Sequence, residues 1–200
     1  MTKKRLDNPN IVKMAVLSDY KLKELNLSKE PNWLSSYEFS EDSVENLKKL
    51  GYHFNHVGAC EKALLYLNKA YKKDPHYKGL EFEIAYAYNH LGQYDKSIPV
   101  LEKALKNDSK NYSFYRELGY AYSKLNKLDM AEKTYKKGIS LSDSNFEKSE
   151  MALNMAQGYF LVKNKGKFDE WAKITRTYAE KDSQYAQYIN FFEKEWDSKR

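Results

Sequence analysis

The feature that most constrains this chain is a sequence pattern that recurs every 34 residues. Three segments, which begin at Val44, Lys78 and Tyr112, align without gaps. In this alignment, one column of equivalent positions holds small residues: Gly51, Ala85 and Gly119. Another column holds large aromatic residues: Phe54, Tyr88 and Tyr122. A repeat of this length buries its apolar face only by stacking on its neighbours, so the pattern predicts an array of repeats.

Each segment has the pattern of two helices joined by a short turn. In the first segment, apolar residues recur at helical spacing from Leu47 to Phe54 and again from Ala63 to Ala70. Between the helices stands a residue that tolerates left-handed backbone, which is Gly58, Gly92 and Asn126 in turn. Only 8 Gly and 4 Pro occur in 200 residues, which disfavours the many tight turns of a β-fold. We therefore expect an all-α protein.

This length and this pattern of small and large residues resemble the tetratricopeptide repeat family. The resemblance implies an all-α, right-handed superhelical solenoid of helix-turn-helix repeats. It covers residues 44–145, as repeats 44–77, 78–111 and 112–145. The departures from the family pattern replace an expected alanine or proline and leave the predicted fold unchanged; they are Ser97, Gly138, Ser109 and Asp143.

The flanking segments are less regular. Residues 146–181 predict a divergent fourth helical pair, whose second helix we expect to begin at Phe168. Residues 182–200 predict a C-terminal capping helix with one aromatic face, formed by Tyr185, Tyr188, Ile189, Phe192 and Trp196. Residues 1–42 form an N-terminal extension with a predicted helix from Ile11 to Leu25. Its linker carries three aromatic residues, which suggest that it packs on another surface: Trp33, Tyr37 and Phe39. Whether this surface is the groove of the solenoid stays open.

The first helices carry a second stripe of residues, separate from the residues that face the core. At about 100° per residue, this stripe lies about 130° around the helix axis from the core face. The resemblance implies that first helices line a concave groove, which holds a peptide. The predicted groove residues are Lys48, Tyr52, Asn55, His56, Phe82, Glu83, Tyr86, Asn89, His90, Arg116, Glu117, Tyr120 and Lys124. The tyrosines would supply aromatic contacts and the asparagines would hold a peptide backbone. The alternative interpretation is that these tyrosines only pack on neighbouring helices.

The charges in the groove restrict the choice of partner. Some members of the family bind the acidic C-termini of heat-shock chaperones through a clamp of basic and amide side chains. The corresponding positions here are Lys48, Tyr52, Glu83, Ser113 and Glu117, of which only Lys48 fits. Because Glu83 and Glu117 repel a carboxylate, we expect no heat-shock C-terminal peptide. A peptide or another protein with basic or mixed charge is the expected partner.

The net charge of +6 comes from 34 Lys and Arg against 28 Asp and Glu. Much of the excess is lysine on the second helices, which we interpret as a scattered, solvated surface. Arginine occurs only at positions 5, 116, 176 and 200, so nucleic-acid binding is disfavoured. No run of apolar residues approaches the ~18 needed for a membrane span.

No catalytic, metal or cofactor site is expected. The single cysteine, Cys60, stands at a helix position that predicts burial, and so indicates a structural thiol. His56 and His90 are equivalent in adjacent repeats but lack a third metal ligand. The apolar stretch after the basic N-terminus is interrupted by charges, so we expect no secretory signal. A cytoplasmic location is the default, and a periplasmic or envelope location applies if Met1 is not the natural start.

The predicted function is therefore a non-catalytic protein–protein interaction module that binds a peptide or a partner loop. Two alternatives remain open. One is a secretion-type chaperone for an unfolded client, and the other is a structural scaffold of a bacterial envelope or motility assembly.

Overall fold

The computed structural model describes residues 18–27 and 43–197. These residues belong to two compact units, one within residues 1–42 and the other from Ser43 onward. In the first unit, helix α1 (Asp19–Glu24) begins after Ser18, whose hydroxyl accepts a hydrogen bond from the Lys21 amide at 3.3 Å. The rest of the predicted N-terminal helix and the three linker aromatics, Trp33, Tyr37 and Phe39, lie outside the described residues.

The second unit is an all-α array of antiparallel helix pairs, and no strand occurs in the described ranges. The first helices of the pairs are α2 (Val44–His56), α4 (Leu80–His90), α6 (Tyr112–Lys124) and α8 (Asn145–Leu161). The second helices are α3 (Cys60–Lys73), α5 (Tyr94–Asn107), α7 (Leu128–Leu141) and α9 (Lys165–Tyr178). Helix α10 (Gln184–Asp197) follows the last pair.

The same turn joins the two helices of every pair. Its central residue has a positive φ: 76° at Gly58, 70° at Gly92, 57° at Asn126 and 55° at Lys163. The next amide donates back to a carbonyl five residues earlier, as from Lys127 to Tyr122 at 2.9 Å and from Asn164 to Tyr159 at 3.0 Å. These bonds satisfy carbonyls that the end of the first helix would leave unpaired.

The fourth pair departs from the 34-residue period inside its first helix. Helix α8 has 17 residues, whereas α6 has 13. The additional residues amount to about one helical turn, so they preserve the buried face of α8 while shifting everything after it. Helix α9 begins at Lys165, three residues before the predicted start at Phe168, because the Asn164 side chain caps it by accepting from the Lys167 amide at 3.1 Å.

Glycine allows two of the pairs to pack closely. A Cβ atom at Gly51 would overlap Leu67 Cδ2, and one at Gly119 would lie 2.6 Å from the Tyr135 ring. Both Cβ atoms would lie well inside van der Waals contact distance. Because glycine has no Cβ atom, α2 can pack this closely on α3, and α6 on α7.

The buried side chains form two clusters along the array. The smaller cluster joins α2, α3 and α4 through Leu47, Leu67, Leu80 and Ile84. The larger one extends from α4 to α10 and includes the fully buried Phe168 and Trp171. The core of residues 43–197 is therefore uneven, with most of its buried apolar side chains between α4 and α10.

Helix α10 covers the end of this core. Ile189 is fully buried, Phe192 lies 4.7 Å from Phe160 between ring centroids, and Trp196 stacks on Phe168 at 5.4 Å. Tyr188, which the sequence placed on the same face, is 45% exposed. Its ring lies beside Phe192 at 6.5 Å, at the edge of the covered surface.

First and second helices lie on opposite sides of the array. Each first helix contacts the next one, α2 with α4, α4 with α6 and α6 with α8. Successive second helices, among the described residues, are not in contact by the same measure, a Cα–Cα distance within 8 Å. The first helices therefore form the inner side and the second helices the outer side. None of the described helices has the length and apolar character needed to cross a bilayer.

Candidate functional site

Two asparagines of the predicted groove connect one repeat to the next. Asn55 Nδ2 donates to the Glu83 carbonyl at 3.0 Å and to Glu83 Oε2 at 2.9 Å. Asn89 Nδ2 makes the equivalent bonds to Glu117, at 3.1 and 3.0 Å. Both asparagines are buried, with 5% and 2% of their surface exposed. Their amide N–H groups are thus engaged within the protein, whereas the sequence suggested that they hold a peptide backbone.

The three tyrosines of the groove differ in exposure. Tyr52 is 49% exposed, whereas Tyr86 and Tyr120 are half-buried. Each ring meets the residue one helical turn later: Tyr52 stacks on His56 with centroids 6.2 Å apart, Tyr86 lies 4.2 Å from His90, and Lys124 Nζ lies 5.1 Å from the Tyr120 centroid. Burial raises the pKa of both Tyr86 and Tyr120, so both keep their hydroxyl protons at neutral pH.

A cavity of about 340 Å³ opens on the inner side, between α4, α6 and α8. It contains six of the predicted groove residues and two that were not predicted. Its described lining is Tyr86, Asn89, His90, Arg116, Glu117, Tyr120, Glu150 and Asn154. The remaining predicted residues lie outside this lining: Lys48, Tyr52, Asn55, His56, Phe82, Glu83 and Lys124.

Glu150 and Asn154 were missed because the fourth pair has an irregular pattern. The 34-residue period nevertheless reaches them, since Glu150 is 34 residues after Arg116 and Asn154 is 34 residues after Tyr120. The additional turn of α8 disturbs the pattern closer to the end of that helix. Continuing the predicted groove positions by another 34 residues would therefore have identified both residues.

Carboxylates outnumber cations at this cavity. The Arg116 guanidinium pairs with Glu147, with Glu117 at 3.3 Å and with Glu150 at 3.6 Å, and its carbon lies 5.8 Å from the Phe82 ring centroid. Burial alone would lower the pKa of Arg116, but these three carboxylates raise it above its ordinary value. Burial raises the pKa of Glu150 by more than Arg116 lowers it. The charge of Glu150 is therefore incompletely compensated.

The other candidate residues give no comparable arrangement. His56 and His90 each lie against a tyrosine of their own helix. In the part of the chain that the structure describes, no group of three His, Cys, Asp or Glu side chains has the geometry to hold a metal ion. Cys60 is 2% exposed, and burial raises the pKa of its thiol, which disfavours the reactive thiolate.

Comparison with known families identifies the repeat. Two family models, each described as a tetratricopeptide repeat, match residues 82–111 and 100–133. The chain contains tetratricopeptide repeats. Both the resemblance inferred from the 34-residue period and the all-α solenoid are thereby confirmed. No curated protein matches the sequence.

Solved structures with the same architecture are similar to this chain. A crystal structure of MamA is 22% identical, with a TM-score of 0.61, over 78% of this chain and 87% of MamA. TTC0263, a thermophilic TPR protein in Thermus thermophilus, is 18% identical, with a TM-score of 0.65, over 80% and 86% of the two chains. The first TPR domain of human RPAP3 is 23% identical, with a TM-score of 0.56, over 62% of this chain and 98% of that domain.

These structures share the fold with this chain. Tetratricopeptide repeats are generally non-catalytic, and they bind other proteins or peptides. The repeat type therefore supports a protein–protein interaction module.

Proposed function

We propose that this protein is a non-catalytic interaction module whose inner cavity binds a peptide or a partner loop through a basic side chain. The cavity between α4, α6 and α8 carries the proposal, because it combines two half-buried tyrosine rings with an excess of carboxylates. A volume of about 340 Å³ accommodates one or two side chains of a ligand.

Charge supports a cationic ligand group. Glu117 divides its carboxylate between two partners, since Oε2 accepts from Asn89 and Oε1 faces Arg116. Glu147 and Glu150 face the same guanidinium. A lysine or arginine of the ligand would compensate Glu150, whereas an acidic group would add to the existing excess of negative charge.

The tyrosines support an aromatic contact with that ligand. Tyr86 and Tyr120 line the cavity from successive repeats, so a ligand that enters it meets a ring from each. A cation over a tyrosine ring gains electrostatic attraction as well as apolar contact. Lys124 Nζ already lies over the Tyr120 ring in this manner, 5.1 Å from its centroid.

The test uses a random peptide library displayed on phage, selected against the full-length wild-type protein. We expect the enriched peptides to share a lysine or arginine. With one enriched peptide, Tyr120→Ala and Glu150→Gln should each weaken binding by about 1 to 2 kcal/mol in isothermal titration calorimetry, as at interface hot spots. Circular dichroism establishes that both variants keep their helices.

Matched controls separate the cavity from the rest of the surface. Tyr52→Ala removes an exposed tyrosine outside the cavity lining, and Glu61→Gln removes an exposed carboxylate on α3. Neither substitution should change the affinity by more than about 0.5 kcal/mol. Enriched peptides without a cation, or equal losses in the controls, would contradict the proposal.

A further inference from the structure

The second helices of the three regular repeats present exposed side chains in matching positions. Along each helix these positions are three, four and three residues apart, and each is 34 residues from its equivalent on the next helix. We call this set the outer basic face. It consists of Lys62, Leu65, Lys69 and Lys72 on α3, Lys96, Pro99, Lys103 and Lys106 on α5, and Met130, Lys133, Lys137 and Ser140 on α7. All of these residues are exposed.

The outer basic face concentrates positive charge. Lysine occupies eight of its positions, and aspartate or glutamate none. Within the described ranges, none of these lysines forms an ion pair. Lys136 and Lys167, by contrast, lie outside this face and pair with Glu132. The eight lysines of the outer basic face therefore recur in register with the 34-residue period.

One contact joins the outer surfaces of two successive second helices. Lys103 Nζ, on α5, donates to the Tyr71 hydroxyl of α3 at 2.8 Å and lies 5.2 Å from its ring centroid. The outer surfaces of α3 and α5 are thus continuous. The four positions along each helix span about 15 Å.

We propose that the outer basic face binds the surface of a membrane that contains anionic phospholipids. Lysine is a flexible point charge that suits a diffuse anionic surface, whereas arginine provides the planar fork that suits individual phosphates. The face contains lysine and no arginine. Its aliphatic members Leu65 and Met130 are 65% and 47% exposed, and they lie among the lysines. Apolar side chains in that position contact the acyl boundary while lysines reach the head groups.

The same residues argue against single-stranded nucleic acid as the ligand. Proteins that bind single strands stack bases on exposed aromatic rings within a basic groove. The outer basic face has no aromatic member, and its tyrosine neighbours Tyr66, Tyr71 and Tyr88 are half-buried beneath lysine side chains. Nucleic acid therefore becomes an outcome of the test that would overturn the proposal.

The experiment measures sedimentation of the full-length protein with vesicles. Wild type should bind vesicles of phosphatidylcholine with phosphatidylserine, bind vesicles of phosphatidylcholine alone much more weakly, and dissociate as salt rises. Each lysine near an anionic membrane contributes about fivefold to binding, so four glutamine substitutions should weaken it at least about a hundredfold. The variant combines Lys62→Gln, Lys72→Gln, Lys106→Gln and Lys137→Gln.

A control variant with the same net charge isolates the position of the lysines. It combines four substitutions at exposed lysines away from the outer basic face, Lys78→Gln, Lys110→Gln, Lys181→Gln and Lys194→Gln. This variant should lose less than about threefold in vesicle binding. If both variants lose the same amount, net charge alone explains the binding and the proposal is wrong.

A third variant tests the apolar contribution and the choice of ligand. Leu65→Ser combined with Met130→Ser keeps every charge, and it should weaken vesicle binding by about tenfold because two apolar contacts are lost. Its binding to a fluorescent single-stranded oligonucleotide serves as the comparison. Unchanged vesicle binding by this variant, or an oligonucleotide that displaces the vesicles from wild type, would overturn the proposal.

Discussion

At the scale of single residues, Asn55 and Asn89 act as equivalent bridges between repeats. Each donates from Nδ2 to the backbone carbonyl and to the carboxylate of a glutamate 28 residues later. The third repeat has Ser123 at this position, whose side chain lacks the second donor and the reach of an amide. The bridge is therefore present at the first two repeat junctions, and the third junction depends on other contacts.

Replacing Asn89 with alanine tests the energy of this bridge. The substitution leaves the buried carboxylate and carbonyl of Glu117 without their common donor, so the free energy of unfolding should fall by about 1 to 3 kcal/mol. Urea denaturation followed by circular dichroism measures the change. Asn68→Ala, at an exposed position on α3, is the matched control and should change stability by less than about 0.5 kcal/mol. Equal effects of the two substitutions would mean that the bridge does not stabilise the array.

The role of Asn89 also shows which part of the site was predictable. Helical periodicity placed Asn89 on the same stripe as Tyr86, and both indeed line the cavity. Periodicity assigns a residue to a face of its own helix but gives no distance to the next helix. The bond to Glu117 depends on how two repeats stack, so the sequence left Asn89 available for a ligand.

At the scale of helices, the closest approach within a pair depends on one column of small residues. Gly51 and Gly119 occupy this column in the first and third repeats, and Ala85 occupies it in the second. The facing residue is Leu67 or Tyr135 where the column has glycine. The equivalent of Tyr135 in the second repeat is Leu101, which is fully buried. In the second repeat a leucine thus packs opposite a Cβ atom, whereas Leu67 in the first repeat would overlap one.

This difference predicts that a second substitution rescues the first. Gly119→Ala should destabilise the protein by about 1 to 3 kcal/mol, because the new Cβ would lie 2.6 Å from the Tyr135 ring. In the background of Tyr135→Leu the same change should cost less, since the pair then matches Ala85 and Leu101. Urea denaturation of wild type, both single variants and the double variant gives the coupling energy, which should reach about 1 kcal/mol. Additive effects would show that Tyr135 does not limit the approach of α6 to α7.

The helices of the regular repeats were largely predictable, whereas the fourth pair was predictable only in outline. The 34-residue period defines the turns at Gly58, Gly92 and Asn126, and all three have positive φ. The additional turn of α8 moves the next such turn to Lys163, 37 residues after Asn126. Lysine is not a residue that indicates left-handed backbone, so the turn had no clear sequence marker.

At the scale of the whole repeat array, the two core clusters differ in size and composition. The cluster of α2, α3 and α4 is mainly aliphatic, whereas the cluster from α4 to α10 also includes buried tryptophan, phenylalanine and tyrosine side chains. In a linear array each repeat contacts only its neighbours, so a smaller local core lowers the local free energy of opening. The two ends of the array should therefore open independently.

Hydrogen exchange measured by mass spectrometry tests this expectation. Amides of α2 and α3 should exchange faster than those of α8 and α9, because opening the first repeat exposes less apolar surface. Leu67→Ala should accelerate exchange in α2 and α3 and leave α8 and α9 unchanged, whereas Phe168→Ala should do the reverse. Both side chains are fully buried, so each substitution removes core packing at one end only. If either variant accelerated exchange equally along the whole array, the repeats would open as one cooperative unit.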